Sequence, residues 1–194
     1  MFETGVFHTS ALENRGISRS KLYESVAAGN LIRLRRGWYA LPHAPADIAL
    51  AVRQGVRLTC ISAAEHHGLW TPPHAGLHVF AVHSRTRGLS ASIVHPQPHL
   101  RRWPDNEPIA SLDLALLHAG HCLPVSDAAI LFESALCLGR ISLADARAIV
   151  NELPYHRRVP LGRIRPEAQS GTETKVRWFL ESRGVRVQAN ALIE

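Results

Sequence analysis

Between Ser18 and Leu41 the apolar spacing changes from that of a helix to that of a strand, and no other feature of the sequence constrains the fold as much. Ser18 is a predicted N-cap for a helix running Arg19-Ser-Lys-Leu-Tyr-Glu-Ser-Val-Ala-Ala28 and closed by Gly29-Asn30. Leu22 and Val26 stand four apart and share one face. Arg19, Ser20, Lys21 and Tyr23 lie near the helix start and mostly off that face. Upstream, Ser10-Ala-Leu-Glu13 forms a capping box, which predicts a short helix from Ser10 to about Gly16 after an extended lead-in over Gly5–Thr9. Downstream, Ile32 and Leu34 alternate with Arg33 and Arg35, Arg36-Gly37 turns the chain, and Trp38-Tyr-Ala-Leu41 has strand propensity until Pro42. The hairpin this predicts has a basic outer face.

Helix, short glycine-containing turn and helix make the helix-turn-helix signature. With a basic hairpin behind them, residues 1–45 read as an N-terminal winged helix-turn-helix. In that geometry the start of the second helix enters the major groove, where side chains reach base edges. Arg19, Ser20 and Lys21 then read the base edges, with Ser18 and Tyr23 beside them among the expected DNA contacts, and Arg33, Arg35 and Arg36 on the wing meet phosphates or a minor groove. Charge agrees with double-stranded DNA as partner. The chain carries 22 Lys plus Arg against 16 Asp plus Glu, for a formal charge of +6. Its two ends, 1–45 and 155–194, are basic, and the span 46–154 is nearly neutral. The competing reading is a solvated basic hairpin used for protein contacts.

Gly16-Ile-Ser-Arg-Ser20, followed by Gly29-Asn-Leu-Ile-Arg-Leu-Arg-Arg-Gly-Trp-Tyr-Ala-Leu41, resembles the N-terminal winged helix of AbiEi-type antitoxins. Arg36-Gly-Trp-Tyr-Ala40 is the most specific piece. Ser62-Ala-Ala-Glu-His-His-Gly-Leu69 and Ile109-Ala-Ser-Leu-Asp-Leu-Ala-Leu116 extend the resemblance into the middle of the chain, so that it covers about residues 5–152. It implies an antitoxin of a type IV toxin–antitoxin pair that binds operator repeats, represses its own operon and counters a nucleotidyltransferase-like toxin.

The fold class expected is α+β: the winged helix over 1–45, a mixed α/β domain over 46–154, and a basic connector with a helix-strand tail over 155–194. Asp47–Leu58 has helical spacing. His78–His83 and Ala91–His95 read as strands of a hairpin joined by the basic loop Ser84-Arg-Thr-Arg-Gly88. Ser111–Leu117, Ser126–Leu138 and Ser142–Leu153 read as helices, with a capping box at Ser142-Leu-Ala-Asp145. Tyr155–Arg165 reads as a connector, and Ser170-Gly-Thr-Glu173 opens a helix with Val176, Phe179 and Leu180 on its apolar face, before a strand at Val185–Val187.

That tail resembles the first helix and strand of a restriction-endonuclease-like, very-short-patch-repair-like domain. In such a domain a first-helix Glu, which Glu173 matches, joins a downstream Asp and a Glu-x-Lys around magnesium. The sequence stops before either partner, and one acid cannot assemble the ion. The expectation is therefore no nuclease and no enzyme, with a DNA-targeted endonuclease or its remnant, and a toxin-binding module, as the alternatives.

Asp113, Asp127 and Glu133 carry no acid–base pattern. His118 and His121 stand three apart among twelve scattered histidines, without a third ligand in view, so no metal and no cofactor are expected. The three cysteines, Cys60, Cys122 and Cys137, read as buried reduced thiols. No apolar stretch approaches the ~20 residues that span a bilayer, and the first residues lack a signal-peptide pattern. The expectation is a cytoplasmic protein without membrane contact.

Overall fold

The computed structural model describes residues 4–13, 16–81, 92–95 and 106–188. Its class is α+β, and the chain divides into two units, 1–59 with 76–110 and 60–75 with 111–194.

The first unit opens with β1 (Val6–His8), α1 (Thr9–Glu13), α2 (Arg19–Ala27), β2 (Ile32–Arg35) and β3 (Trp38–Ala40). The strands form an antiparallel sheet in the order β1-β3-β2. Alternation along β1 and β3 gives this sheet two apolar faces. Phe7 and Tyr39 pack with Leu12 of α1 and Leu22 of α2. Val6, Trp38 and Ala40 pack with Ile48, Ala51 and Val52 of α3 (Ala46–Gln54). A sheet buried on both sides explains why β3 is wholly apolar. The helix expected from Ser10 begins instead at Thr9, whose N–H donates to Gly37 O at 2.8 Å. Ser10 therefore lies inside α1, and its hydroxyl hydrogen-bonds His8 Nδ1 at 3.0 Å.

The helical spacing read through Leu58 ends early. Gly55 is left-handed at φ +87 and closes α3, and Val56–Leu58 becomes β4. A second sheet follows in the order β4-β5-β6, with β5 at Leu77–Ala81 and β6 at Ser92–His95. Residue Ile109 bridges to Leu58 on the far side of β4. β5 and β6 pair in parallel, so they are not the two arms of the expected hairpin. Parallel neighbours need a crossover rather than a tight turn. The loop Ser84–Gly88 lies outside the described residues.

The second unit is helical: α4 (Cys60–His66), α5 (Leu112–Cys122), α6 (Val125–Cys137), α7 (Leu143–Asn151), α8 (Tyr155–Leu161) and α9 (Gly171–Glu181). α6 lies at its centre, with Ala128, Leu131, Phe132 and Ala135 fully buried. Leu138, expected on the same stripe, is 42% exposed because it falls past the last turn. Ser142 and Ser170 cap α7 and α9 as expected, accepting from Asp145 N–H and Glu173 N–H at 3.1 and 3.2 Å.

Three expectations for the tail fail. Residues 155–161 form α8 rather than a connector, with Pro154 as the N-cap; the helix runs through Pro160 in its last turn although that residue has no N–H to donate. Val176 and Phe179 are exposed at 52% and 55%, while Thr174, Arg177 and Trp178 are buried. The cause is Glu133, fully buried on α6, which turns the hydrogen-bonding side of α9 inward. Residues 185–188 form no strand; Val187 O instead accepts from Arg165 Nη2 at 3.0 Å. Among the described residues no helix is long and apolar enough to cross a membrane.

Candidate nucleic-acid interface

All eight residues read from the sequence as DNA contacts are exposed and lie in the first unit. Ser18 adopts extended backbone, φ −71 and ψ 157, and its Oγ accepts from Lys21 N–H at 3.4 Å. This cap holds one orphan amide of α2, which is worth about 1 kcal/mol. Leu22 is buried against Phe7 and Tyr39, so the neighbouring positions are carried outward by helical rotation. Tyr23 is 63% exposed. Arg19 Nη2 stands 3.6 Å from Glu13 Oε1, and the two side chains are 81% and 51% exposed. A pair so open to water holds Arg19 only weakly. Ser20 donates to Glu24 Oε1 at 3.1 Å, so its hydroxyl is already engaged.

The hairpin shifts register between Arg33 and Arg35, a bulge that leaves Leu34 as its buried residue. Ile32, expected to share the inward face, is 41% exposed. The turn is fixed by local geometry. Gly37 has φ +78, and a Cβ there would sit 2.7 Å from His8 Nε2, so only glycine fits. His8 also packs against Trp38, with ring centroids 5.2 Å apart and the planes tilted by 60°. Beneath the same sheet, the Arg57 guanidinium lies 4.0 Å over the Trp38 ring. Arg33, Arg35 and Arg36 are all exposed on this hairpin. Arg35 differs from the others in folding back, with its guanidinium in the space that a Cβ on Gly55 would take, at the C-terminal end of α3. Among the described residues, Lys21, Arg33, Arg35 and Arg36 make no ion pair.

Other residues singled out from the sequence take different parts. Glu173 accepts Gln169 N–H at 2.9 Å and the Ser170 hydroxyl at 3.2 Å, which is helix capping. Glu133 accepts from Thr174 Oγ1 at 2.9 Å and from Arg165 N–H at 3.2 Å, and pairs with Arg177 Nη2. Arg177, Arg163 and Arg165 converge on Glu181 at 3.0, 2.9 and 3.0 Å. Burial alone would raise the Glu181 pKa, but these three cations hold it below the ordinary carboxylate value. His118 is buried, and desolvation, with His121 adding to it, brings its pKa down to about 4. No third ligand joins His118 and His121 among the described residues.

The cysteines depart from expectation. Cys60 is buried, but Cys122 and Cys137 are exposed. The neighbouring Cys60 thiol brings the Cys122 thiol down to about 7 against the opposing effect of burial, with Arg157 adding to the fall. Burial, with Cys122 beside it, pushes the Cys60 thiol up. In the first unit His78 Nδ1 and His95 Nε2 meet at 3.1 Å. Neither pair was found from the sequence, because their members are far apart along the chain and belong to no spaced motif.

No protein-family model matches the chain. No curated protein matches it either. Among solved structures, the RV2827C protein from Mycobacterium tuberculosis is similar with a TM-score of 0.40 at 15% identity, over 95% of this chain and 78% of that one.

Proposed function

We propose that the chain binds double-stranded DNA through α2 and the β2–β3 hairpin, as a winged helix-turn-helix, and acts as an antitoxin-type repressor of its own operon. One observation carries the reading: the first turn of α2 and the arginines of the adjoining hairpin are all exposed on one unit, and Lys21, Arg33, Arg35 and Arg36 have no acidic partner among the described residues. Arg19 and Lys21 supply base-edge contacts. Arg33 and Arg36 supply phosphate contacts, and Arg35 joins them by swinging off Gly55. The neighbouring protein on this reading is a nucleotidyltransferase-like toxin, and operator repeats are the DNA target. No catalytic part is assigned to Glu173, since its carboxylate caps α9.

A gel-shift assay with the DNA upstream of the chain's own gene, against a scrambled duplex of equal length, tests the reading. At about 150 mM salt the upstream DNA is expected to bind at least about a thousandfold more tightly. Equal affinity for both duplexes would contradict a sequence-specific repressor.

A further inference from the structure

Within the second unit, α4 and α5 pack against each other, and each brings a cysteine to one place. Cys60 opens α4 and Cys122 closes α5, with their Sγ atoms within 4.8 Å of each other. A disulfide needs about 2.05 Å between the sulfurs. One change of χ1 rotamer carries a cysteine sulfur by about 3 Å, which covers the difference without movement of either helix. Cys122 is exposed and has room to turn, whereas Cys60 is fully buried. Cys60 also has φ +52, and among the described residues it is the non-glycine residue with a positive φ. Backbone strain of this kind persists where the fold has to aim a particular side chain.

The surroundings give the two thiols different chemistry. Arg157 of α8 donates from Nε to Gly120 O at 2.7 Å and from Nη2 to Leu123 O, which pins its guanidinium to the end of α5 beside Cys122. The Cys60 thiol and this cation bring Cys122 down to about 7 against burial, so about half of it is thiolate at neutral pH. Burial pushes Cys60 up and keeps its proton on. An accessible thiolate beside a second, protected thiol is the arrangement of a redox-sensing pair.

We propose that Cys122 is an oxidation site for hydroperoxides and that Cys60 resolves it, forming a reversible disulfide that braces α4 to α5. In the first step the Cys122 sulfur attacks one peroxide oxygen and the O–O bond breaks. The departing hydroxide or alkoxide takes a proton from solvent, and Cys122 becomes a sulfenic acid. The Cys60 sulfur then attacks the Cys122 sulfur, the S–O bond breaks, and the hydroxyl leaves as water with the Cys60 proton. The two sulfurs together give up two electrons, and the peroxide takes them. The inference rests on the second unit alone and does not depend on the DNA reading.

The test treats the full chain, reduced and then freed of reductant, with a slight excess of hydrogen peroxide. Remaining thiols are alkylated and the peptides are mapped by mass spectrometry. The expected product is a Cys60–Cys122 disulfide, reversed by dithiothreitol, with Cys137, exposed on the same unit, still alkylated. Cys60→Ser should lose the disulfide and accumulate a sulfenic acid at Cys122 that dimedone traps, and Cys122→Ser should leave Cys60 a thiol. In urea the preference for this pair over pairs with Cys137 should disappear. A folded chain in which Cys60 and Cys122 both stay thiols overturns the inference. So does oxidation of Cys122 that stops at the sulfenic acid or joins a second chain. Pairing undiminished in urea also overturns it, because the fold would then not be its cause. The disulfide is read on the unsubstituted chain, so a variant that fails to fold leaves the test intact.

Discussion

Arginines in the two units meet opposite fates. On the hairpin of the first unit, Arg33, Arg35 and Arg36 are exposed, with no acidic partner among the described residues. Around α9 of the second unit, Arg163, Arg165 and Arg177 surround Glu181, and Arg177 also neutralises the buried Glu133. The residue type is the same, and the difference lies in what the fold sets opposite it. Where carboxylates are supplied, arginine is a structural clamp, planar and able to serve two acids at once. Where none is supplied, the guanidinium stays exposed to solvent, and phosphate is the kind of group that its fork fits best.

The largest effect expected from breaking this contrast is at Arg177. Arg177→Ala leaves Glu133 buried without its counter-ion, though still hydrogen-bonded to Thr174 and Arg165 N–H, which costs about 3–5 kcal/mol. Urea unfolding followed by tryptophan fluorescence should show it, while alanine at Arg33 or Arg36 moves the same midpoint by less than about 0.5 kcal/mol. Comparable losses at all three sites would erase the distinction between clamp and contact.

A second effect sharpens what the interior of the second unit admits. It tolerates a charge at Glu133 because Arg177 meets it, yet it drives the proton off His118. The His118 pKa, about 4 in the fold, lies below the ordinary imidazole value of 6.5. Between these values the unfolded chain binds more protons than the folded one. The stability due to neutral His118 is therefore complete above pH 6.5 and is lost as pH falls towards 4. The full loss is up to about 3 kcal/mol. His118→Leu should flatten this part of the pH profile of unfolding, and an unaltered profile would show that His118 does not titrate there.

On the first unit, Arg19→Ala and Lys21→Ala should each reduce discrimination between operator and scrambled DNA by about 1–3 kcal/mol, with little change in non-specific affinity. Competition gel shifts measure the ratio. A uniform loss on both duplexes would make these residues phosphate contacts instead.

Much of the helical frame was legible in the sequence because caps are local. Ser18, Ser142 and Ser170 each hydrogen-bond an amide three residues on, and the spacing alone announces them. The hairpin was legible from its alternation and from Arg36-Gly37. What the sequence hid was set at long range. The burial of Glu133 rotated α9 so that Arg177 faces inward and Phe179 faces out. The parallel pairing of β5 and β6 has no local signature, and two isolated apolar runs read as a hairpin by default. Gly55 interrupts a helical spacing that Val56 would otherwise continue. For the candidate interface, exposure follows from helical rotation about Leu22, but Arg35 leaning onto Gly55 required coordinates. The pairs His78–His95 and Cys60–Cys122 were invisible because folding, not spacing, brings their members together.

The most direct measurement is the salt dependence of DNA affinity, by fluorescence anisotropy, for the unsubstituted chain and for Arg33→Ala/Arg35→Ala/Arg36→Ala. If the hairpin grips the phosphate backbone, the slope of log affinity against log salt becomes shallower by about 0.9 for each contact removed, a change of roughly 2 to 3 in all. An unchanged slope in a folded triple variant would contradict DNA binding by this face.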